Sequence, residues 1–201
     1  MAFISQVPMT ELQAVNMLLA AIGEAAVSSL ETATTVEVTQ AKNLLSNTNR
    51  SMQQKGWHFN TEWDVTLSVN GSSQIELGSN IISVVTPGKL TTIRGISGSQ
   101  HIYDLDNNTF TFTSDIDDAI TITLLDFIDT PQTFRQYVTV RAARIFQEEI
   151  IGQVSAEQIN QLEETQAYAD LLDDEADRTG INVGYNDIQM YNATKKHRKL
   201  W

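Results

Sequence analysis

Cysteine is absent from the 201-residue sequence, so a disulfide framework, a thiolate metal site and a cysteine nucleophile are excluded. Histidine is scarce. His58, His101 and His197 lie far apart with no ligand spacing, which argues against zinc or redox chemistry. Basic residues are outnumbered, 13 Lys and Arg against 25 Asp and Glu, and the net charge of -12 opposes general affinity for nucleic acid or anionic membrane. The apolar run from Ala14 to Ile22 follows Glu11, has no basic residue before it and is interrupted by Asn16, so it reads as a core helix rather than a signal peptide or membrane span.

Catalytic signatures are missing too. The chain has no GxxxxGK[ST] phosphate loop, no HExxH and no GxSxG elbow, and the Gly95–Ser99 cluster lacks dinucleotide-loop spacing and reads as a turn. No enzyme activity, cofactor or metal is expected. The competing reading from another class is a capsule or cell-wall glycan hydrolase, which needs two opposed carboxylates. Asp115, Asp117, Asp118, Asp126 and Asp129 offer many, but nothing marks one pair as desolvated.

What is present is periodicity of two kinds. Thr10 with Gln13 forms a capping box, Leu12, Val15, Leu19 and Ile22 share a helical face, and Gly23 ends that helix. Thr34 with Glu37 opens a second helix whose stripe is Val38, Ala41, Leu45, Thr48 and Met52, closed by Gly56. The two stripes are expected to face each other. Trp57 and Phe59 then alternate with His58, the period of a strand.

From Trp57 to Asp129 short alternating runs are separated by turn residues, predicting a small antiparallel sheet or barrel. The runs are Val65–Val69, Ile75–Leu77, Ile81–Thr86, Leu90–Arg94, Ile102–Leu105, Phe110–Thr113 and Ile120–Leu125. Asn70-Gly71 is a hairpin signal. Helix returns with Pro131 at its first position and Phe134, Tyr137, Val138, Ala142, Ile145 and Phe146 inward, to Gly152. Ser155 with Gln158 caps a fourth helix whose stripe is Ile159, Leu162, Ala169, Leu172 and Ala176. The expected fold is α+β: a bundle of two N-terminal and two C-terminal helices (1–56 and 130–180), an inserted antiparallel β domain (57–129) and an extended tail (181–201).

Charge is distributed unevenly. Between Glu148 and Asp177 stand ten acidic residues and no basic one, so the fourth helix carries Glu163, Glu164, Asp170, Asp173 and Asp174 as candidates for a negative wall past which DNA slides without sticking. The tail has the opposite sign, with Lys195, Lys196, His197, Arg198 and Lys199 in a row. Tyr185, Tyr191 and Trp201 are candidate anchors against an acidic partner groove.

Thr10-Glu11-Leu12, Ala14-Val15-Asn16, Ile22-Gly23-Glu24, Val27-Ser28 with Leu30, Asn47 to Arg50, Gly56-Trp57 with Phe59-Asn60, and Thr66-Leu67 together resemble the head-to-tail adaptor of short-tailed bacteriophages, the tail tubular protein A family. The similarity is dense over Thr10–Leu67, thin through the β segment apart from Tyr103-Asp104, and returns at Pro131, Phe134-Arg135, Tyr137, Ala143-Arg144 and Phe146. The resemblance implies a virion protein without enzymatic activity, assembled in the host cytoplasm. It implies a homo-oligomeric ring, typically of twelve subunits, between the portal and the tail nozzle (tail tubular protein B), which helps seat the tail fibres and passes DNA along its axis. It also makes residues 181–201 a portal-binding arm, with Tyr185, Tyr191, Lys195, Lys196, Arg198, Lys199 and Trp201 as contacts. The basic run departs from the family pattern.

Overall fold

The computed structural model describes residues 7–32, 35–152 and 157–179. The fold is α+β. Its elements run α1 (Glu11–Ala21), α2 (Val36–Gln53), β1 (Thr61–Leu67), β2 (Glu76–Leu77), β3 (Ile81–Val85), β4 (Thr91–Ile96), β5 (Ser99–Asp104), β6 (Ile116–Thr123), a 3-10 turn (Phe127–Asp129), α3 (Gln132–Ile151) and α4 (Glu157–Thr179). Two compact units result, a helical one from Met1–Met52 with Asp126–Asp177 and a β one built on Gln53–Leu125.

Helix α1 starts and stops as its local chemistry dictates. The Thr10 hydroxyl accepts from the Gln13 N–H and the Gln13 side chain accepts from the Thr10 N–H, completing the capping box. At the other end Gly23 takes φ +81, its N–H donates to Ala20 and that of Glu24 to Leu19, a Schellman close. Asn16 has a use: its amide donates to the Val27 carbonyl at 3.0 Å and accepts the Val27 N–H at 2.8 Å, tying down the loop that follows. The main helical partner of α1 is α3 rather than α2, so the expected α1–α2 pairing is not the principal one. Phe134, Val138, Ala142 and Phe146 of α3 and Ala14, Val15, Leu18 and Leu19 of α1 are all buried. Pro131 caps α3 rather than occupying its first turn.

All five stripe residues of α2 are buried. Its cap is one residue later than expected: Thr35 Oγ1 accepts the Val38 N–H at 3.4 Å, while Thr34 lies outside the described residues. Gly56 follows at φ +74, and a Cβ there would stand 2.8 Å from Ile122 Cδ1, so glycine is required by both backbone and space. Trp57 to Phe59 form a turn, not a strand. Asn60 overrides the alternation by accepting the Trp57 N–H at 2.8 Å and donating to the carbonyls of Gln53 and Thr123 at 3.0 and 3.1 Å.

The β unit consists of two three-stranded antiparallel sheets, ordered β1-β6-β3 and β2-β5-β4. Leu67, Ile75, Leu77, Ile102, Phe112, Ile116 and Ala119 form its core. Ser97 and Gly98, at φ 50 and 93, make a two-residue turn between β4 and β5, where Ile96 pairs with Ser99. Asn70-Gly71 makes no such hairpin. The Asn70 carboxamide oxygen accepts the N–H groups of Ser72 and Gln74, curling the chain locally, and β1 pairs with β6 instead. The expected strand at Phe110–Thr113 is reduced to one bridge, Asp104 to Thr109, with the Phe110 ring edge-on to Tyr103.

Buried Asp104 organises the turn after β5. Its carboxylate accepts from the Asn107 side chain and from the N–H groups of Asp106 and Asn107, each at 2.9 Å. The Asn107 side-chain bond, with the two backbone donors, holds the Asp104 pKa below the ordinary carboxylate value against the opposing effect of burial. A depressed folded pKa contributes stability that is complete above the unfolded value of about 3.9 and disappears as pH falls through the folded one. Asp104→Asn is expected to lower stability at pH 7 and flatten its dependence on pH below about 4. Urea midpoints across that range are the measurement, and an unchanged acid slope would remove Asp104 from the account.

Candidate assembly surface on helices α3 and α4

The acidic residues picked out in sequence do not act as a set. Glu164 turns toward α3, where Oε1 accepts from Arg141 at 2.6 Å and Oε2 from Arg144 Nε at 2.5 Å, and its side chain is 14% exposed. Arg144 also pairs with Glu148. Asp174, half-buried, accepts the Thr133 hydroxyl at 2.9 Å. Glu163, Asp170 and Asp173 are exposed, and Asp170 accepts from Gln166 at 2.9 Å. Thus Glu164 and Asp174 hold the helix pair together, while the other three face solvent.

Around Glu164 two guanidinium groups share its carboxylate, and Glu148 supplies a second acid to one of them. Its hydrogen bond to Arg144 raises that guanidinium above its ordinary pKa. Burial acts to lower Arg141, but Tyr137 and Glu164 outweigh it and the net shift is upward. Burial raises the Tyr137 pKa, with Arg141 opposing. The Tyr137 hydroxyl also accepts from Arg141 at 3.3 Å, and its ring lies 5.0 Å from that of Tyr168. Both arginines and a neutral tyrosine therefore persist across the working pH range, so the cluster clamps two helices and has no proton to trade.

That clamp fixes which side of α4 is buried. The core-facing residues are Ala167, Leu171 and Glu175, flanked by half-buried Glu164 and Tyr168. The expected stripe is displaced: Leu162 is 70% and Leu172 37% exposed, and Ala169 and Ala176 are exposed as well, with the Ile159 side chain outside the described residues. At 100° per residue, Leu162, Ala169, Leu172 and Ala176 occupy one side of the outward half of α4 and Glu163, Asp170, Asp173 and Asp177 the other. The Arg141/Arg144 pair was missed in sequence, although its spacing with Glu148 on one helical face was the available signal. A groove of about 160 Å³ opens beside Glu163, floored by Met17, Ala21, Val140 and Ala143.

Tyr185, Tyr191, Lys195, Lys196, Arg198, Lys199 and Trp201 lie outside the described residues. In the β unit, Asp115 accepts the Val69 N–H at 2.8 Å and Asp117 the Thr66 hydroxyl at 2.9 Å, so both carboxylates are joined to local structure. Among the described residues no group of three or more His, Asp or Glu is placed to hold a metal ion, and no helix is long and apolar enough to cross a membrane.

A family model described as tail tubular protein matches residues 12–181, from α1 through the end of α4. The chain belongs to the tail tubular protein family. It is thereby a structural protein of the phage tail, and its location is the virion. No curated protein matches the chain. A tail component acts by binding neighbours, so the exposed faces of the family's helices, rather than a cleft, are where function is to be sought.

Proposed function

We propose that this tail tubular protein is the head-to-tail adaptor: a ring of copies, typically twelve, set between portal and tail nozzle, helping to seat the tail fibres and lining part of the DNA ejection channel. The family match over residues 12–181 carries the reading, and the ordered similarity to adaptors over Thr10–Leu67 supports the adaptor subtype. Of the candidate acids, Glu163, Asp170 and Asp173 remain outward and are proposed to face the channel, where like charge keeps DNA from adhering. Glu164 and Asp174 belong to the helix–helix contact instead.

Residues 181–201 are proposed as the portal-docking arm, with the two tyrosines, the basic run and Trp201 as its contacts. Deleting 181–201 is expected to leave the fold intact and abolish attachment to the portal. Sedimentation of full-length and truncated protein with purified portal rings tests both levels. Full-length protein that never co-sediments with the portal defeats the adaptor reading. Truncated protein that still docks with unchanged affinity defeats the arm assignment alone.

A further inference from the structure

The apolar side of α4 is exposed although Ala167 and Leu171 already fill a core face, so Leu162 and Leu172 are not there for the fold of one subunit. Leu162, Ala169, Leu172 and Ala176 recur at helical spacing, and the alanines allow a second backbone to come close. A row of acids flanks them: Glu163, Asp170, Asp173 and Asp177. Two such helices cannot pair with each other, because juxtaposed carboxylates repel. The covering surface must be a different one, neutral to basic.

The helical unit itself supplies one. Of its five cations, Arg135 donates to the carbonyls of Met9, Ile128 and Thr130, and Arg141 and Arg144 are held by Glu164. Lys42, half-buried, and exposed Arg50 remain, both on α2, and neither makes a hydrogen bond or ion pair among the described residues. Around Arg50 the outward side of α2 consists of Val36, Gln40, Asn43 and Asn47, exposed at spacings of three and four and without an acid among them. That face has the charge and the flat amide character that the α4 side lacks.

We infer that the apolar side of α4 packs on the outward face of α2 in a second copy of this chain, with Arg50 meeting the near edge of the acidic row. This rests on the ring reading above and deepens it. Joining two different faces head to tail is the arrangement that generates a ring, whereas a self-complementary face would stop at a dimer. The remaining edge of the acidic row is left facing away from the seam.

The absence of cysteine makes the test direct, since introduced thiols are the sole ones in this chain and multimers of it are read by its own mass. Full-length protein assembled on purified portal rings is treated with a short bismaleimide. The double variant Asn47→Cys/Ala169→Cys is expected to give a ladder of covalent multimers, and Ala169→Cys alone no dimer. In parallel, Leu162→Asp/Leu172→Asp is expected to fold like the parent by circular dichroism yet fail to close rings. Rings that persist in that variant overturn the inference, as does a dimer from Ala169→Cys alone, or no ladder from the double variant in a sample sedimenting as rings. Rings that persist but no longer hold the portal assign the α4 side to the portal and overturn it too. A parent protein that forms no ring with the portal overturns the ring reading itself, and the seam with it.

Discussion

Asn60→Ala is expected to destabilise the β unit by about 3 kcal/mol. The side chain is 3% exposed, and all its polar positions are used. Truncation orphans the Trp57 N–H and removes a donor from the carbonyls of Gln53 and Thr123, in a region without ready access to water. A buried group left unpaired costs about 1–3 kcal/mol, so the orphaned Trp57 N–H and the donor lost to the Thr123 carbonyl give the stated sum, while the Gln53 carbonyl keeps the Gly56 N–H at 3.1 Å. Asn60→Asp separates this account from one based on packing. Aspartate has the same shape and still accepts from Trp57, but it aims a second oxygen at two carbonyls, so it is expected to be as damaging as alanine. Urea unfolding of both variants is the measurement, and a mild Asn60→Asp would refute the hydrogen-bond account.

Gln53 extends the same device. Its amide donates to the Leu125 carbonyl and accepts the Leu125 N–H, both at 2.8 Å, and its own carbonyl takes the Asn60 donor. The two residues share a network, so Gln53→Ala/Asn60→Ala is expected to cost less than the sum of the single variants. Together they hold the start of the β unit to its end, residues 53–60 to residues 123–125.

These amides also show where sequence reading succeeds and where it stops. The cap of α1 and the stripe of α2 were legible because both are settled within a few residues, by a hydroxyl, a glycine and a run of side chains on one face. Trp57-His58-Phe59 alternates like a strand, yet Asn60 bonds Trp57 back into a turn and reaches Thr123, a partner 63 residues away. Most strands were found, but not their neighbours: β1 lies beside β6, the last strand, and no local signal at Asn70-Gly71 announces that. On α4 the apolar periodicity was real and its destination was wrong. Two arginines on α3 take Glu164, twenty residues on from Arg144, and turn Leu162 and Leu172 outward. The acidity of the candidate site was therefore legible, while its division into clamp and surface was a tertiary property.

Glu164→Ala carries the second large effect, a loss of about 2–3 kcal/mol, because it leaves two partly buried guanidinium groups without their shared carboxylate. The figure is kept below that for a fully buried pair because Arg141 is 38% exposed and Arg144 retains Glu148. Glu164→Gln keeps one acceptor and is expected to lose about half as much. The raised arginine pKa values contribute stability that is complete below the ordinary arginine value and lost only as pH climbs through the folded one. Their share of the Glu164→Ala loss should therefore be constant from pH 6 to 9, and a steep change there would mean that another group carries the effect. Added salt should shrink the loss, since part of the pair faces water. If the clamp serves chiefly to set the rotation of α4, replacing all three charges by Arg141→Met/Arg144→Met/Glu164→Met should restore parental stability within about 1 kcal/mol, as apolar substitution of ion triads does elsewhere. The same triple variant should assemble less well, because only the Thr133–Asp174 bond and the Ala167 and Leu171 core contacts then keep Leu162 and Leu172 on the outside. Urea midpoints paired with sedimentation on portal rings separate the two roles: a stable variant that still closes rings would show that the clamp is not what orients the helix.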